Sequence, residues 1–186
     1  MNKYILMLLA YITTMCVEGE NFHKFTANRN AYRAADQLVK QQVQYKDPVI
    51  NGKGLVWDFS MLQPINENYI LHYFIPDSTK MNRLCGQEHN TRYYYQLRND
   101  SLLATGFENS TTYMEYPKPE LKLRFPLVYG DTLYSEFEGK GQYCHRIGLH
   151  VKGYTRVMAD AEGDILLPQN EKVKKALRVR ALRHYT

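Results

Sequence analysis

The sequence predicts an all-β domain, an antiparallel β-sandwich or barrel-like sheet, preceded by a cleaved signal peptide. Three observations carry this expectation. About ten short segments alternate apolar and polar residues, the period of a half-buried strand. Glycine, proline and Asn-Asp turn signals separate them at the short spacing of antiparallel sheets. The chain is also rich in residues that suit a pleated surface: 16 of its 186 residues are tyrosine.

Residues 1–19 read as an export signal. Lys3 supplies a positive start, and residues 4–12 form an apolar run too short to span a bilayer. Val17 and Gly19 are small enough for the −3 and −1 positions of a cleavage site, so residues 20–186 are expected to form a single β-rich domain in the periplasm or at the cell surface. Within it, residues 20–36 are polar and expected to be a loose arm or a short first element. Cys16 has a second reading as a lipidated cysteine, and a membrane partner is expected only in that case. Thr13 and Met15 depart from the small residues that normally precede such a cysteine.

Val39, Gln41, Val43 and Tyr45 share one parity, as in a strand, whereas the composition of residues 31–42 also suits a helix. Lys46-Asp47-Pro48 and the Asn-Gly-Lys-Gly at 51–54 mark turns. In the strand expected at 55–59, Trp57 is a core anchor with its indole N–H bonded, and Asp58 faces the other way. A strand follows at 69–74. Strands at 93–97 and 102–107 flank Arg98-Asn99-Asp100-Ser101, a hairpin turn because Asn and Asp tolerate left-handed backbone. Two strands, 111–116 and 121–125, are expected on either side of Pro117-Lys118-Pro119. Gly130-Asp131 is a turn. Strands at 132–137, 142–149 and 151–158 have glycine-containing joints, and Gly163 is expected to take the positive φ of a tight hairpin. Strands at 165–167 and 176–182 complete the chain, the last with Leu177, Val179 and Ala181 on one face and Arg178 and Arg180 on the other.

The formal charge is +5, and it is unchanged without residues 1–19 because Lys3 and Glu18 cancel. So modest an excess suits acidic polymers or lipid head groups, and no nucleic-acid partner is expected. Cys85 and Cys144 are an even pair in an exported domain and read as a disulfide, worth about 2–4 kcal/mol, against the alternative of free buried thiols.

No nucleophile elbow, phosphate loop, dinucleotide fingerprint, HExxH or CxxC occurs. Glu88, His89, His145 and His150 fit no closed zinc motif, so no metal or cofactor is expected. Asp58, Glu88, Glu115, Glu136 and Glu138 offer carboxylates for glycoside hydrolysis by composition alone, and no catalytic residue is assigned. Tyr93 and Tyr95 share one strand face and form the candidate contact surface, where rings would stack on sugars. Their alternative role is ordinary sheet packing.

Three stretches carry a resemblance: LVKQQVQYKDP with GLVWDFSML; EHNTRYYYQLRNDSLLATGFENSTTYMEY; and RFPLVYGDTL with ADAEGDILLPQNEKVKKALRVRALR. Together these resemble uncharacterised exported proteins of Bacteroides and related Bacteroidetes. The resemblance implies an envelope address. It also implies O-glycosylation at Asp-Ser/Thr-X sites, here Ser78, Ser101 and Thr132, all at expected turns. The function expected is a non-catalytic binding or structural module of the cell envelope, with a glycan or another envelope protein as partner. A hydrolase acting on polysaccharide or peptide is the alternative.

Overall fold

In the computed structural model, which describes residues 24–47, 50–76 and 83–186, turn chemistry sets up a long antiparallel meander. The strands are β1 (Gln37–Lys40), β2 (Gly52–Asp58), β3 (Tyr69–Phe74), β4 (Leu84–Glu88), β5 (Thr91–Arg98), β6 (Ser101–Glu108), β7 (Thr112–Arg124), β8 (Thr132–Tyr143), β9 (Ile147–Leu166) and β10 (Lys172–Tyr185). One helical turn, α1 (Ala27–Asn30), precedes them. The fold is all-β, as expected. The sheet order is β1-β3-β4-β5-β6-β7-β8-β9-β10, and β2 adds in parallel to β9. The expected cleavage site and Cys16 lie outside the described residues.

The β5–β6 turn behaves as its sequence demands, with Asn99 and Asp100 at φ 48° and 57°. Two corrections arise where proline and glycine were expected to break strands. Residues 112–124 form one strand, not two, with register shifts where the prolines cannot join the ladder. Gly139 and Gly141 lie within β8 rather than at a joint, and the turn between β8 and β9 falls at residues 144–146, inside the strand expected at 142–149. Gly163 is inside β9. A Cβ there would sit 2.1 Å from the Leu55 carbonyl oxygen, so glycine serves the close approach of β2 and not a hairpin.

The Lys118–Glu138 pair ends the β7–β8 ladder, while β7 stays with β6 out to Arg124. The sheet therefore folds over itself. Glu120, from the far half of β7, accepts a hydrogen bond from Thr155 of β9 at 2.9 Å. Phe137, Val157 and Tyr116 are buried in the enclosed space.

A second cluster joins Ala31, Leu102 and Phe125, with Phe25, Tyr32 and Tyr95 packed on it. The part of the expected arm that is described is thus fixed: Tyr32 stacks on Tyr73 with centroids 4.6 Å apart. Residues 31–42 are not a helix. In β1 the faces are the reverse of expectation, since Leu38 is half-buried and Val39 is exposed. A third cluster holds Trp57, Phe59, Ala161 and Ile165 where β2 meets β9. Trp57 is a core residue as read, but its Nε1 is buried without a hydrogen-bond partner among the described residues. Strand β4 had no clear signal, because Cys85 and Gly86 break the usual alternation.

The disulfide is also corrected. Cys85 is buried in β4, Cys144 is exposed in the β8–β9 turn, and both are free. Cys85 shares a rung with Tyr94, Gly106, Glu115 and Lys140, which places β8 four strands away. At about 4.8 Å per strand that is roughly 19 Å along the sheet, beyond the reach of a disulfide.

Candidate functional site

Past the point where β7 leaves β8, the outer face of the sheet opens into a cleft of about 370 Å³. Arg98, Ser101, Leu103, Leu121 and Arg124 line its β5–β6–β7 wall, and Tyr134 and Ser135 line the β8 wall. The size suits a single small ligand or one unit of a larger one.

The hairpin builds the polar wall. Its two-residue turn pairs Arg98 with Ser101, and β7 pairs Ser101 with Arg124. Residues opposite one another in a sheet share a face, so two guanidinium groups flank one hydroxyl, on Cα atoms about 10 Å apart by strand spacing. Both arginines are exposed, and neither has an ion-pair or hydrogen-bond partner among the described residues. The Ser101 hydroxyl donates to the Asn99 carbonyl at a long 3.4 Å. Among the described residues no carboxylate lines the cleft.

Tyr134, 60% exposed, forms the other wall. Its ring stacks on Tyr154 with centroids 5.4 Å apart, and Tyr154 in turn meets His184 at 5.3 Å. This aromatic row crosses β8, β9 and β10 on the outer face. Together the cleft and the row offer fork-shaped donors for an anion and a ring face for an apolar surface.

The residues singled out from sequence are placed differently. Tyr93 and Tyr95 do share a face, but it is the inner one, covered by the segment around Tyr32. Tyr95 meets Tyr32 edge-on at 5.2 Å and lies 6.3 Å from Tyr73. Burial pushes the Tyr95 phenol pKa well above the ordinary range and raises that of Tyr93 as well. Tyr95 thus belongs to the core packing rather than to an open contact surface, whereas Tyr93 is half-buried near Glu88, Lys40 and Tyr69. Ser101 lies in the cleft, Thr132 is exposed at the start of β8, and Ser78 lies outside the described residues.

His89 tilts against Tyr69 at 4.5 Å, His145 sits in the β8–β9 turn, and His150 bonds Glu138 at 2.8 Å. Among the described residues no three His, Cys, Asp or Glu side chains gather as a metal site. The carboxylates are similarly dispersed. Ser60 bonds Asp58, Lys40 pairs with Glu88, and Arg83 lies 3.6 Å from Glu115. Glu136 and Glu138 share the outer face of β8. Lys118 holds the pKa of Glu136 below the usual range, and the His150 hydrogen bond does the same for Glu138.

Arg98, Arg124 and the Tyr134–Tyr154–His184 row are not among the residues that the sequence pattern singles out. The hairpin signal at 98–101 already placed Arg98 opposite Ser101, but Arg124 and the row required inter-strand register. No family model, curated protein or solved structure matches this chain.

Proposed function

We propose that this chain is an exported cell-envelope protein that acts as a non-catalytic binding module, taking an anionic group in the cleft between β7 and β8. The observation that carries the reading is the Arg98–Ser101–Arg124 rung: two exposed guanidinium groups, without carboxylate partners among the described residues, flank a hydroxyl. Arginine pairs of this kind recognise carboxylate, sulfate or phosphate through parallel N–H bonds. Export rests on the leader-like residues 1–19 and on the resemblance to exported proteins.

The hydrolase alternative has weaker support. A glycosidase needs one carboxyl group with a raised pKa and a second kept ionised. Glu136 and Glu138, the two on one face of one strand, are both shifted downward, Glu136 by Lys118 and Glu138 by its hydrogen bond to His150 with Lys152 nearby.

Calorimetric titration with glucuronate, sulfate and phosphate tests the site. Binding by the wild type should weaken about tenfold or more in an Arg98→Ala/Arg124→Ala variant, the loss expected for one or two charge-assisted contacts. The melting temperature should not change. Equal binding by variant and wild type, or no binding of any of the three anions, rejects the cleft. Intact-mass analysis of the fractionated protein tests export, with Glu20 as the expected first residue.

A further inference from the structure

We infer that the cleft is one end of a longer track and that its ligand is an acidic polysaccharide chain; this rests on the cleft being a binding site. Tyr134 belongs to both. It closes the cleft and begins the row that continues through Tyr154 to His184. The register adds cations beside the rings. Arg156 lies opposite Tyr134, and Arg180 lies opposite Met158, one step further along the same face. Arg156 and Arg180 are exposed and have no ion-pair or hydrogen-bond partner among the described residues. From β8 to β10 the track runs about 10 Å beyond the cleft by strand spacing.

The rings form one row and the cations stand beside it: Arg156 is opposite Tyr134 and two residues from Tyr154, and Arg180 is opposite Met158, four residues from His184. A chain of sugar rings with a carboxylate or sulfate at intervals presents both partners: a C–H face for the aromatic rings and an anion for the guanidinium groups. The rings hold one another, which reduces the entropy lost when a ligand orders them. The cleft also offers the hydroxyls of Ser101 and Ser135, which can both donate to and accept from sugar hydroxyls.

Glu136 and Glu138 lie on this same face beside Tyr134. Glu136 stands opposite Tyr154 and is paired with Lys118, and Glu138 is hydrogen-bonded to His150. A bilayer surface is too broad to enter the cleft.

The test is a length series titrated into the full chain: glucuronate, then oligogalacturonates and heparin fragments of two, four and six sugars. Affinity should rise with length in at least one series, separating carboxylate from sulfate as the recognised group. An Arg156→Ala/Arg180→Ala variant, altered only outside the cleft, should flatten the rise while leaving glucuronate affinity unchanged. Tyr154→Ala should cost the longest fragment roughly three- to tenfold.

Glucuronate binding with no dependence on length overturns the track and leaves the cleft standing. Failure of both monomer and oligomers overturns the cleft itself. Equal affinity for an oligothymidylate, or for phosphatidylglycerol–phosphatidylcholine vesicles, overturns the assignment to a glycan.

Discussion

Arg183 of β10 reaches across the folded sheet to Glu120 of β7, with Nη2 3.3 Å from Oε2, and donates to the Tyr116 hydroxyl at 3.0 Å. The Glu120 side chain is 2% exposed and also receives Lys122 at 3.1 Å and Thr155 at 2.9 Å. The guanidinium lies 4.6 Å from the centre of the Phe137 ring. A carboxylate this buried is tolerable because donors from three strands satisfy it. The same segment of β7 turns Leu121 and Arg124 outward to the cleft, so the inner clasp fixes the position of the outer wall.

Arg183→Ala should therefore destabilise the protein by about 2–4 kcal/mol, below the full cost of a broken buried pair because Arg183 itself is partly exposed. Urea unfolding measures this. Arg183→Lys should retain part of the loss, since it keeps the charge but not the fork. A change under about 0.5 kcal/mol, the range of ordinary surface substitutions, would show that the clasp is incidental.

The two tyrosine sets should separate cleanly in thermal melts. Tyr95→Ala removes a ring from the cluster under Tyr32 and should cost about 3–5 kcal/mol. Tyr134→Ala trims an exposed ring and should stay within about 0.5 kcal/mol. The reverse order would mean that the inner and outer faces have been exchanged.

Gly163→Ala should loosen β2, because the added carbon would fall 2.1 Å from the Leu55 carbonyl oxygen. The expected cost is about 2–3 kcal/mol, in the range of overpacked sites. Trp57 is the chain's one tryptophan and pairs with Ile165 two residues on, so its emission should shift to longer wavelength. Gly148→Ala, where a Cβ meets nothing within 4 Å, is the control and should leave the emission unchanged.

Both cysteines of the domain should be recovered as thiols, with Cys144 alkylated quickly in the native protein and Cys85 protected until unfolding. Burial pushes the Cys85 pKa from 9.0 to about 11. In the window between those values the unfolded chain has released the proton and the folded one has not, so stability falls as pH rises through it. Burial, with help from Glu115, pushes Tyr113 up to about 12, which extends the fall to higher pH. Peptide mapping and unfolding curves across this range check both points. Rapid native labelling of Cys85, or stability rising with pH, would contradict them.

Local chemistry made several elements legible. The Asn99-Asp100 turn, the strand at Tyr69–Phe74 and the burial of Trp57 follow from backbone preference and alternation, which act over a few residues. The all-β class follows from the same signals repeated along the chain. Faces were harder. Tyr93 and Tyr95 sit on one side of β5 as alternation requires, but which side is covered depends on where Tyr32 packs, some sixty residues earlier in the chain.

Residues close together in the chain set the all-β class, the position of most strand segments, the β5–β6 turn and the basic balance of the surface, but not where β7, β8 and β9 begin and end. Tertiary structure decided the rest. Parting β7 from β8 after Lys118 depends on how two prolines are accommodated between β6 and β8, and it creates the cleft. Arg98 and Arg124 became neighbours only through Ser101 between them, and Tyr134, Tyr154 and His184 only through the register of three strands. The even pair of cysteines suggested a bridge, and the sheet order set them too far apart to form one, since register and strand order are properties of the pairing and not of either strand alone.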